Sequence, residues 1–145
     1  MKLTKFLQSL FEEPPPPAKI YHHDLLGDMQ YIEDDEAWIG VFNGLRVSVA
    51  YEGGSEPDSW LIEYAISLVV DRAWLEAAIV EASNKYLTKH PSYTDEVRGL
   101  VIDLIQIYNN ESIRSALIEL KGGQDYRAWR IHFAERKCYG LGFDS

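Results

Sequence analysis

The sequence predicts an α+β fold: a mainly antiparallel sheet built from N-terminal and C-terminal strand clusters, with helices packed on one face. Short β-branched and aromatic runs broken by turn residues occupy 20–51, and two more alternating runs occupy 128–143. Between these clusters apolar residues recur at helical spacing. The chain has 145 residues, 46% of them apolar and 26% charged, which suits a single domain with its own core.

Residues 1–18 are set apart from that domain, which is expected to span 19–145. Leu3, Phe6, Leu7, Leu10 and Phe11 follow the i, i+3, i+4, i+7, i+8 pattern of one helical face. Pro14 to Pro17 then impose an extended polyproline linker, because consecutive prolines lack amide donors. The predicted amphipathic helix has three roles open to it: docking on its own domain or a second copy, binding a partner, or lying on a membrane surface. Only Lys2 and Lys5 are available for anionic lipid, so packing is the favoured role.

The first strands are expected at Met29 to Glu33, Ala37 to Phe42 and Leu45 to Tyr51. Asn43-Gly44 is a two-residue hairpin turn that pairs Phe42 with Leu45, and therefore Gly40 with Val47 and Trp38 with Val49. This register places Trp38, Phe42, Leu45, Val47 and Val49 on a core face, leaving Ile39, Val41, Arg46 and Ser48 on the other. Asp34-Asp35-Glu36 forms the turn between the first two strands.

Beyond Pro57, with Asp58 or Ser59 as N-cap, two apolar stripes sit on either side of Asp71. One holds Leu61, Tyr64, Ala65 and Leu68, and the other Leu75, Ala78, Ile79, Ala82 and Tyr86. Two helices or one bent helix satisfy this pattern. His90-Pro91 ends the element, and Thr94 is expected to cap a further helix carrying Val97, Leu100, Val101, Leu104, Ile105 and Tyr108. Residues 111–120 fit either a helix face or a strand, with a short strand at Ala116 to Lys121 favoured. Trp129, Ile131 and Phe133, then Tyr139, Leu141 and Phe143, alternate as two final strands joined at Glu135-Arg136-Lys137.

The formal net charge is −9, and residues 18–59 carry −7 of it. Such a balance opposes counterion-release binding, so nucleic acid is not an expected partner. No segment approaches the roughly 20 apolar residues of a membrane span, and no integral membrane association is expected. Gln8, Ser9, Glu12 and Glu13 interrupt the apolar start, so no secretion signal is predicted. The lone Cys138 cannot close an intramolecular disulfide and fits a reducing, cytoplasmic setting.

No residue pattern carries a catalytic signature, and neither a metal nor a cofactor is predicted. His22-His23-Asp24 is the densest group of ligand types, but adjacent histidines on an extended chain diverge. On a strand His132 and Glu135 face opposite sides, so they do not form a metal pair. Cys138 with His132 as base, and Arg136 and Lys137 lowering its pKa, is the rival catalytic arrangement. Glu33-Asp34-Asp35-Glu36 lacks the spaced oxygens and central glycine of a calcium loop. Gly53-Gly54, Gly122-Gly123 and Gly140-Leu141-Gly142 lack the lysine, third glycine or following helix of phosphate and dinucleotide loops. Of Trp38, Trp60, Trp74 and Trp129, most belong to the core, with Trp38 or Trp60 a candidate aromatic anchor.

Leu26-Gly27-Asp28-Met29-Gln30-Tyr31, followed by Asp34-Asp35-Glu36-Ala37-Trp38-Ile39-Gly40, resembles the opening of a group of small acidic bacterial domains of unknown function. Tyr139-Gly140-Leu141-Gly142-Phe143 is similar to their closing strand. Some of those domains are suspected immunity proteins that neutralise a toxin, so the resemblance implies a binding role without catalytic residues. The expected function is a non-enzymatic acidic protein engaging a basic protein partner through Asp34, Asp35 and Glu36, with Trp38 or Trp60 beside them. The alternatives are a cytoplasmic enzyme using Cys138 with His132, and an oligomeric scaffold subunit.

Overall fold

The computed structural model describes residues 19–122 and 127–144, so the helix and linker predicted for 1–18 lie outside the described residues, as does Gly123. Eight strands form one sheet in chain order: β1 (Ile20–His23), β2 (Gly27–Ile32), β3 (Ala37–Phe42), β4 (Leu45–Ala50), β5 (Val101–Asn110), β6 (Ile113–Lys121), β7 (Ala128–Ala134) and β8 (Lys137–Asp144). Neighbours are antiparallel except β4 and β5, which run parallel. Parallel strands need a crossover, and α1 (Ser59–Val70), α2 (Arg72–Lys89), a 3-10 turn (Pro91–Tyr93) and α3 (Thr94–Arg98) supply it. The result is the expected α+β architecture, with strands from both parts of the chain in one sheet.

Asn43 and Gly44 adopt φ of 46° and 78°, the positive values this hairpin turn demands. The register is the predicted one, with Phe42 opposite Leu45, Gly40 opposite Val47 and Trp38 opposite Val49. Across the parallel seam it continues as a row of Val49, Ile107, Ala116, Phe133 and Cys138. The row beside it holds Val47, Ile105, Ile118, Ile131 and Leu141. Both rows face the helices and join Leu61, Tyr64, Ala65 and Leu68 of α1 and Leu75 and Ala82 of α2 in one core. Each large side chain buried there contributes about 1.5–3 kcal/mol. At Gly40 an added Cβ would lie 3.0 Å from the Met29 side chain and 3.3 Å from the Asp28 carbonyl, so glycine permits the close approach of β2 and β3.

Asp58 caps α1, accepting from the Leu61 N–H at 3.1 Å. Asp71 separates α1 from α2 with φ −88° and ψ 58°, so two helices form and not one bent helix. Its carboxylate accepts from the Trp74 N–H.

The sequence reading needs correction in four places. The helix expected from Thr94 to Tyr108 stops at Arg98, and Val101–Asn110 is the central strand β5, flanked by β4 and β6. Gly99 ends the helix, and the β-branched run of Val101, Ile102, Ile105 and Ile107 suits a strand with neighbours on both sides. Thr94 does not cap α3, because its hydroxyl donates back to the Pro91 carbonyl at 2.6 Å. The strand favoured at Ala116 to Lys121 starts earlier, at Ile113. Ile20–His23, read only as an extended segment, pairs with β2, whose bounds are Gly27–Ile32. No helix among the described residues is long and apolar enough to cross a membrane.

Candidate functional site

The β2–β3 turn is Glu33-Asp34-Asp35-Glu36. Its four acids follow one another, and mutual repulsion keeps such a run at a solvated turn. Glu36 donates its N–H to the Glu33 carbonyl at 3.1 Å and takes a left-handed φ of 48°, which closes the loop. Its own carbonyl accepts from the Tyr51 N–H at 2.9 Å, fixing the turn to the end of β4. Glu33, Asp34, Asp35 and Glu36 are all exposed, and none forms a salt bridge among the described residues.

Two tyrosines that the sequence reading did not single out stand beside this turn. Tyr31 precedes it on β2, and its ring lies 5.2 Å from that of Tyr51 and 5.5 Å from that of Trp38. Burial raises the Tyr31 hydroxyl above its ordinary range, followed by Tyr51, Glu36 and Glu33, so the carboxylates and both rings share one electrostatic environment. Lys19 lies 5.4 Å over the Tyr31 ring. Tyr51 is 39% exposed, enough to offer an aromatic surface next to the acids. The hairpin register already implied this neighbour: continuing the pairing from Phe42 and Leu45 brings position 36 opposite position 51.

Trp38 is 1% exposed and its indole N–H has no partner, so it supports the site from within the core and offers no surface to a partner. Trp60, 37% exposed at the start of α1, holds the Arg114 guanidinium 5.6 Å from its ring. No hydrogen bond, ion pair or ring contact among the described residues joins Trp60 to the acidic turn.

Cys138 and His132 are not brought together. Cys138 is opposite Phe133 on the helix side, whereas His132 is opposite Leu117 on the other face of the sheet. Cys138 instead lines a groove of about 510 Å³ between α2 and β8, with Trp74, Lys85 and Arg136. Arg136 lies 4.3 Å over the Trp74 ring and 3.7 Å from Asp71. At the far edge, His23 Nδ1 accepts from the Leu25 and Leu26 N–H groups at 3.1 and 3.3 Å, and His22 pairs with Asp28 at 2.7 Å. The histidines thus organise the β1–β2 turn, and no group of three metal-ligand residues occurs among the described residues.

Compared with known proteins, the chain matches no family model, no curated protein and no solved structure.

Proposed function

We propose that this is a non-enzymatic acidic binding protein that engages a basic protein partner, in the manner of an immunity or inhibitor protein. The observation that carries the reading is the exposed turn of Asp34, Asp35 and Glu36, without a salt bridge among the described residues and flanked by the partly exposed Tyr51. Exposed carboxylates outside any salt bridge among the described residues present their charge to a partner, and such fields steer association more than they fix final affinity. An adjacent tyrosine supplies apolar area with a polar tip, a combination common at the centre of protein interfaces. The sequence resemblance to small acidic domains supports the same role.

The test is a pulldown from the source cell's lysate at low and high salt, comparing wild type with the Asp34→Lys, Asp35→Lys, Glu36→Lys variant. A basic protein should be retained by wild type, released by salt and absent from the variant; with that protein purified, the variant's association rate should fall at least about tenfold. Equal retention by both forms would remove the turn from the interface, and an empty wild-type pulldown would argue against a binding role.

A further inference from the structure

β1 and β8 are the two edges of the sheet, and they are unlike. β1 has 4 residues and runs into the turn that His23 caps, whereas β8 has 8. Among the described residues β7 is the only strand beside β8, so a row of β8 N–H and C=O groups faces away from the sheet, and no loop or turn backbone bonds to it. On the helix side Cys138, Leu141 and Phe143 pack on the core but stay half-buried. The groove between Cys138 and α2 continues as a hollow of about 600 Å³ beside Leu141, so open space lies next to these side chains.

We propose that β8 pairs antiparallel with β8 of a second copy of the chain, joining two sheets edge to edge about a two-fold axis at Leu141. The strand is complementary to itself because of a bulge. Leu141 is opposite Ile131 and Cys138 opposite Phe133, so Tyr139 and Gly140 together face His132. Lys137 and Asp144, an odd number of residues apart, would lie on opposite faces of a regular strand. The extra residue puts both on the open face, opposite Ala134 and Ala128, and puts Cys138 and Phe143 together on the helix side, opposite Phe133 and Trp129. A second β8 turned end for end therefore meets the first on matching faces: Asp144 opposite Lys137, Phe143 opposite Cys138, and Gly142 opposite the Tyr139-Gly140 bulge, each pairing made twice.

Each pairing completes something that one copy leaves open. Lys137 has no salt bridge among the described residues, and Asp144 adds a second cation to its pairing with Arg130. Phe143 against Cys138 repeats the apolar pairing that Phe133 already makes within the sheet. Gly142 lies outside the left-handed region and a Cβ there would meet nothing within 4 Å, so the fold of one copy does not require glycine at this place. Across the two-fold axis the Tyr139 ring, 61% exposed in a single copy, covers it. The acidic β2–β3 turn lies toward the other edge of the sheet, so it does not oppose the approach. The dimer holds two such turns, one toward each end of the shared sheet.

The experiment follows the mass of the full-length chain by sedimentation equilibrium up to about 1 mM. Wild type should approach the mass of two chains. Lys137→Glu sets like charges opposite each other at both ends of the pairing and should weaken association by about tenfold or more. Crosslinking then locates the contact. With Cys138→Ser removing the natural thiol, Leu141→Cys brings two thiols together across the axis, and air with copper phenanthroline should link them about tenfold or more faster than Ile20→Cys, which is 65% exposed on the other edge strand. The Asp34→Lys, Asp35→Lys, Glu36→Lys variant should keep the dimer mass, so this pairing and the binding role of the turn are read separately. A chain that stays monomeric throughout would overturn the proposal. So would a dimer in which Lys137→Glu changes nothing and the thiol at position 141 links no faster than that at position 20, because the contact would then lie on another surface.

Discussion

At the scale of single residues, a long-range knot joins α1 to the β7–β8 turn. Tyr64 donates its hydroxyl to the Glu135 carbonyl at 2.8 Å, while the Glu135 carboxylate holds Arg114 through two bonds of 3.1 Å. Arg114 in turn lies 5.5 Å from the Tyr64 ring and 5.6 Å from that of Trp60. Burial, and after it Glu135, holds the Tyr64 hydroxyl far above its ordinary value, with Arg114 and Arg136 pulling the other way. The folded state therefore keeps a proton that an unfolded tyrosine gives up near pH 10. Its stabilising contribution is complete below that pH and is lost as the pH rises toward the folded value. Urea unfolding from about pH 9 to about pH 11 should show wild-type stability falling more steeply than that of Tyr64→Phe, and equal slopes would remove this role from Tyr64. None of this knot was legible in the sequence, because Tyr64, Arg114 and Glu135 are far apart in the chain and carry no local signature. Trp60 was singled out as a candidate aromatic anchor, but neither its exposure nor its cationic neighbour could be read from the sequence.

At the scale of elements, hairpins and capped helices were the legible parts. Asn43-Gly44 specifies its own backbone geometry, so it fixed the β3–β4 register and with it the side on which Trp38 and Val47 lie. Asp58 likewise marks the start of α1 by chemistry local to one turn. Replacing it should leave the Leu61 N–H without its cap, so Asp58→Ala is expected to cost about 1 kcal/mol, read from the urea midpoint at unchanged slope. A midpoint equal to wild type would mean that water replaces the cap without loss. The β5 segment failed for a different reason. Val101, Leu104, Ile105 and Tyr108 satisfy helical spacing, while the same segment buries Ile105 and Ile107 at strand spacing. A central strand has apolar residues on both faces, so the two periods cannot be separated without knowing its neighbours. β1 was missed because Ile20–His23 is short and ends in two histidines, and its pairing with β2 depends on a turn that His23 caps with its ring.

At the scale of the whole molecule, the fold class and the location of the acidic lobe followed from the order of patterns along the chain. The tyrosine pair beside the acids required the register to be carried beyond the hairpin. Charge and architecture divide the molecule at the same place. Strands β1 to β4 form one antiparallel run and β5 to β8 another, joined side by side along the parallel pairing of Arg46 to Val49 with Leu104 to Ile107. The covalent connection between these halves passes through the exposed 51–56 segment, which includes Gly53 and Gly54, before the chain enters the helices. A chain cleaved between these glycines should therefore behave as a two-part protein. The β1–β4 fragment and the helix-bearing fragment should co-elute at neutral pH, come apart at lower urea than the intact chain needs, and regain the native spectrum on dilution at a rate that depends on concentration. Because the join draws on ladder hydrogen bonds and on a core that spans both halves, separate tags on the two fragments would turn the central seam into a reporter of their reassembly.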